Sequence, residues 1–121
     1  MRLNLSDLSY DARWYDFESG KPAGDPVDPE KVYLKIRPCP ISMMRHTFRR
    51  GEMIIVEEEQ CRIFQHCLVD WKNVAAADGT VLACKEEIKQ KVFDFGLGGI
   101  ASKVLSIVRD FNAGLEESSK N

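Results

Sequence analysis

The sequence predicts an α+β fold, an N-terminal β-hairpin packed against three to four helices in a single domain. Three observations predict it. Two short aromatic and β-branched runs, 13–17 and 32–36, alternate with the period of two expected of half-buried strands. Beyond residue 56, apolar residues recur at helical spacing in three separate stretches. The chain also has 121 residues, 44% hydrophobic and 30% charged, enough to bury one modest core without staples. The domain is set at residues 1–114, and LEESSKN (115–121) reads as a polar, flexible tail.

In the first strand Trp14 and Asp16 face away from Tyr15 and Phe17. In the second, Val32, Leu34 and Ile36 share a face against Tyr33 and Lys35. The connection, GKPAGDPVDPE, holds three of the five prolines and is too long to set the register alone. Pro38 and Pro40 end the second strand. Ser42 can cap a short helix carrying Ile41, Met44 and Phe48 on one face, and Gly51 stops it. Residues 52–56 stay open between strand and helix: Ile54, Ile55 and Val56 favour strand, whereas Glu57–Glu59 suit a helix N-terminus.

A helix is expected from Glu57 to Trp71, with Cys61, Phe64, Leu68 and Trp71 as its buried stripe and Cys67 beside them. Residues 72–82 then read as loop or short extended pieces containing an Asp78-Gly79 turn. Ile88, Val92 and Phe95 mark a helix over 85–94, opened by Glu86 and Glu87 and broken by Gly96, Gly98 and Gly99. The last helix carries Leu97, Ile100, Val104, Ile107, Val108 and Phe111 on one side and ends at Asn112-Ala113-Gly114.

Composition narrows the function classes. A net charge of −2 gives no general reason to bind nucleic acid or membranes, and no apolar run reaches the roughly 20 residues of a membrane span. MRLNLSDLSY lacks the apolar core of a signal peptide, so the expected location is cytoplasmic. Reduced, buried thiols follow for Cys39, Cys61, Cys67 and Cys84. Cys61 and Cys67 would lie about 240° apart around one helix and could not bridge.

Candidate chemistry is sparse. His66 and Cys67 are adjacent, with Cys61 near them, but no close ligand pair of the kind zinc sites use is present, so no metal or other cofactor is expected. His46 or His66 could be imagined against Cys84 as a nucleophile pair, yet no strained nucleophile turn or oxyanion motif accompanies them. Gly96-Leu97-Gly98-Gly99 lacks the Lys-Ser/Thr of a phosphate loop. Charge is more pointed: six cations and no acid lie between Lys31 and Arg50, whereas residues 1–30 carry three cations and seven acids. Arg45 and Arg49, four apart on the short helix, share a face that Arg50 extends. Such a face neutralises acids of its own chain or docks an acidic partner.

VYLKIRPCPIS, LVDWKNVAAADGTVLACKEE and the closing apolar helix with its ESSKN end resemble the tail assembly chaperones of long-tailed bacteriophages and prophages. Members of that family often read W-x-G-V-x-D-E-D-G-x-P-x-P before an acidic helix. Trp71, Val74, Asp78 and Gly79 match that pattern. Asn73 stands for the usual glycine, and Leu82 and Ala83 lie where proline is common. The resemblance covers roughly residues 32–121. It implies a non-catalytic protein of the host cytoplasm that holds the tape-measure protein and brings tail-tube subunits to it. Self-association is compatible with that role; nucleic acid and membrane are not its partners. It carries Trp71, Asp78 and Gly79 over as fold-defining residues; the partner-binding face, Arg45, Arg49 and Arg50, is expected from the charge pattern and not from the resemblance. Two other readings are a bacterial cytoplasmic module that binds acidic peptides through Arg45 and Arg49, and a small thiol or metal protein built on Cys84.

Overall fold

The computed structural model of the chain describes residues 12–40 and 57–119, the side chains of 57, 58 and 111–119 excepted. The helix expected after Ser42 and the open stretch 52–56 lie outside the described residues. The fold is α+β. Its elements run β1 (Arg13–Asp16), β2 (Tyr33–Ile36), α1 (Glu57–Cys67), β3 (Leu68–Lys72), α2 (Glu86–Phe95), a 3-10 turn (Leu97–Gly99) and α3 (Ile100–Ser119). The strands form an antiparallel sheet in the order β1-β2-β3.

One face of the sheet supplies Tyr15, Leu34, Ile36, Leu68 and Trp71 to a core that α1 completes with Ile63, Phe64 and Cys67. Helix α2 adds Val92, and α3 adds Ile100, Val104, Ile107 and Val108. The α3 residues fall three or four apart, so one stripe of the helix enters the core. The residues of 17–32 fold back along β1: Asp16 N–H donates to Lys21 O (2.9 Å) and Ala23 N–H to Trp14 O (3.0 Å), which occupies the strand's outer edge.

Several elements depart from expectation. Helix α1 stops at Cys67, and Leu68–Lys72 is a strand. The spacing that suggested a continuous helix comes from a β-bulge: Lys35 pairs with Asp70 but Ile36 with Leu68, so Val69 is the extra residue on β3. The bulge puts Leu68 and Trp71, three apart, on the same buried face while Val69 stays exposed, imitating a helical period. Phe95 and Leu97, expected in the core, are 75% and 50% exposed. On α2 the inward positions go to Lys89 and Val92, with Phe93 packed at the core's margin and its ring 5.8 Å from that of Phe64. Gly96 then ends α2 in the left-handed region (φ 60°), its N–H reaching Phe93 O and Val92 O. The last helix continues through Gly114 to Ser119 instead of ending at 112–114.

Candidate functional site

Trp71 lies on β3, 5% exposed, and its indole N–H donates to Leu82 O at 2.8 Å. That bond ties the strand to the far side of the loop it enters. Within the loop Leu82 N–H meets Val74 O (2.9 Å), Ala75 and Val81 form a bridge, and Ala76 N–H meets Thr80 O (2.8 Å). At its tip Asp78 Oδ1 accepts Thr80 N–H (2.9 Å) and Gly79 takes φ 89°. The backbone Thr80 N–H, with the Thr80 hydroxyl, holds the Asp78 carboxyl below its ordinary range. The tip is fully exposed. These are turn-forming roles, and Trp71, Asp78 and Gly79 belong to one hairpin-like unit.

Asn73 opens that unit with φ 65°, a value side-chain-bearing residues seldom adopt and Asn tolerates better than most. Its amide nitrogen donates to Asp28 O (3.1 Å) and Lys31 O (2.6 Å), anchoring the proline-bearing loop to the end of β3.

The passage from α1 straight into β3 is held by cations, which inspection of local sequence does not reveal. A helix end leaves carbonyls without intrahelical partners. Here the last three carbonyls of α1 and the first of β3 are met from elsewhere: Lys89 Nζ donates to Gln65 O and Leu68 O, each 2.9 Å, Arg37 Nε to His66 O (2.7 Å), and Arg37 N–H to Cys67 O (3.0 Å). Lys89 is only 9% exposed. Two cations at a helix C-terminus also oppose the negative end of its dipole. Arg37 Nη2 lies 3.3 Å from His66 Nδ1. A guanidinium only donates, so Nδ1 accepts and the imidazole is the neutral Nε2–H tautomer. Burial, then Arg37 and Lys89, push the His66 pKa down from 6.5.

Among the described residues no group of three or more His, Cys, Asp or Glu side chains is placed to hold a metal ion. None of the four cysteines forms a disulfide. Burial raises the Cys84 thiol to about 11, opposite to what a thiolate nucleophile needs. On the sheet's outer face the ammonium groups of Lys35 and Lys72 lie 5.6 and 5.5 Å from the centroid of the Trp14 ring, so the protein's own lysines flank that aromatic. Among the described residues no helix is long and apolar enough to cross a membrane. Arg45, Arg49, Arg50 and His46 lie outside the described residues.

No family model, curated protein or solved structure matches the chain.

Proposed function

We propose that the chain is a phage or prophage tail assembly chaperone, which binds the tape-measure protein and tail-tube subunits without catalysis. In this reading residues 1–114 form an N-terminal hairpin packed against three to four helices, and the protein works in the host cytoplasm. Asn73 is the observation that carries it. The position where the resembled pattern has glycine carries a positive φ in this chain, so that mismatch preserves the backbone demand behind the glycine, although Ala76 and Ala77 stand where the pattern has acids. The two stretches that carry the resemblance are also structural partners, since β2 from the first pairs with β3 from the second.

The physical task suits a small α+β protein. A tape-measure chain exposes apolar helix before the tube encloses it, and such surface aggregates unless covered. The basic run containing Arg45, Arg49 and Arg50 supplies charge for docking acidic stretches of that partner. Affinity purification of this chain, co-expressed with the tape-measure protein of its own phage or prophage, should recover the complex. Changing Arg45, Arg49 and Arg50 together to Glu should weaken the complex and remove most of its salt sensitivity. Binding unchanged by the triple substitution would remove those arginines from the interface. Failure of the wild-type chain to recover the tape-measure protein would overturn the functional reading itself.

A further inference from the structure

The outer face of the sheet holds positive charge that no acid of the described chain answers, although the net charge is −2. Leu34 and Ile36 enter the core, so Tyr33 and Lys35 lie on the opposite face of β2. The strand register sets Trp14 and Asp70 on either side of Lys35, and Asp16 and Lys72 on either side of Tyr33. Trp14 is half-buried, and Asp70 and Lys72 are exposed. Lys35 and Asp70, directly opposed, have the placement of a cross-strand ion pair, but they do not make one. Asp70 Oδ1 accepts Trp71 N–H at 2.8 Å, while the Lys35 ammonium lies 5.6 Å from the centre of the Trp14 ring. Lys72, a diagonal neighbour of Lys35, comes within 5.5 Å of the same ring. Asp16 is engaged as well: Oδ1 accepts Glu18 N–H (2.9 Å), and Oδ2 lies 3.8 Å from Lys31 Nζ. Among the described residues neither Lys35 nor Lys72 has a carboxylate within ion-pair distance. Of the described cations in the basic run, Lys31 meets Asp16 and Arg37 meets the end of α1, which leaves Lys35 for a partner.

We propose that Trp14, Lys35 and Lys72 form a docking site for an acidic protein segment, with carboxylates against the two ammonium groups and an apolar side chain on the indole. Two like charges drawn to one ring repel each other, and a bound carboxylate relieves that repulsion. Tryptophan is among the residues that most often carry interface energy, and charge complementarity sets the choice of partner. Single-stranded nucleic acid suits the face less well. It binds on successive aromatic platforms, whereas Tyr33 is 5% exposed with its hydroxyl accepting Asp28 N–H (3.3 Å). Its phosphates also recur at every nucleotide and would meet exposed Asp70, which the spaced carboxylates of a peptide can avoid. Docking here does not require the chaperone reading, which assigns binding to Arg45, Arg49 and Arg50.

The test titrates the isotope-labelled full chain with a short soluble peptide rich in glutamate and carrying spaced leucines. NMR follows the indole N–H signals of the two tryptophans. Trp71, 5% exposed and bonded to Leu82 O, is the internal control. The Trp14 signal should shift and saturate, the shift should vanish in high salt, and the glutamine analogue of the peptide should not produce it. Lys35→Gln combined with Lys72→Gln should weaken binding about tenfold, whereas Lys35→Arg combined with Lys72→Arg should retain it. A Trp14 signal unmoved by the acidic peptide, binding unaffected by the paired Gln substitutions, or tighter binding of oligothymidine than of the peptide would each overturn the proposal.

Discussion

Replacing Lys89 by Met tests whether the junction between α1 and β3 depends on a buried cation. Methionine keeps the unbranched stem and its packing while deleting the ammonium. The substitution therefore removes two hydrogen bonds, each 2.9 Å, to Gln65 O and Leu68 O. Hydrogen bonds to a charged group contribute about 1.5–3 kcal/mol each, so the pair amounts to roughly 3–6 kcal/mol. Relief from desolvating an ammonium that is only 9% exposed offsets part of this, and a net loss of about 3 kcal/mol remains. For a domain of this size that corresponds to a Tm lowered by about 10 °C. Urea unfolding followed by tryptophan fluorescence reads the change directly, since Trp71 lies on the strand concerned, and the slope with denaturant should be unchanged. A loss below about 1 kcal/mol would mean that water satisfies those carbonyls equally well, and the account of the junction would fail.

Trp71→Ala should cost about 3–5 kcal/mol in the same assay, whereas Trp71→Phe, which fills most of the space but leaves Leu82 O without its donor, should cost about 1 kcal/mol more than packing alone explains. His66 carries a pKa lowered from 6.5, so below about pH 6.5 the unfolded chain binds a proton that the folded chain refuses. Its contribution is complete above that pH and is lost as pH falls toward the folded value; His66→Gln should lose less stability than wild type between about pH 7.5 and pH 5.5, and equal losses would contradict the half-buried neutral imidazole. Cys84, raised from 9.0 to about 11, holds on the order of 100-fold less thiolate than an ordinary cysteine near neutral pH. Iodoacetamide should accordingly modify it far more slowly in the native chain than in urea, and rapid native labelling would restore the reactive-thiol reading.

The parts of the fold that followed from sequence are those in which local pattern and tertiary packing agree. The alternation around Tyr15 and Leu34 and the stripe from Ile100 to Val108 each reflect one buried face of a regular element. The misreading at Leu68–Trp71 has a specific origin, because a bulge at Val69 shifts the strand's period of two into a spacing of three. No local signal separates that from a helix, and the deciding hydrogen bonds come from Arg37 and Lys89, distant in sequence. Those two residues were missed for the same reason, as nothing around Lys89 marks it as buried. Ile63, fully enclosed beside Phe64, was legible from its spacing to Cys67 but was absent from the expected stripe. The positive φ of Asn73 had a signal too, an asparagine standing where glycine is usual in the resembled pattern.

The proposal that this chain is a tail assembly chaperone is tested most directly by the solubility of a tape-measure protein from the same phage or prophage. That protein, expressed alone and together with this chain, is divided by centrifugation, and the soluble fraction is measured at matched expression. The account predicts that most of the tape-measure protein moves from the pellet to the supernatant when this chain is present, in a complex that contains both. A tape-measure protein equally insoluble with and without it would contradict the account.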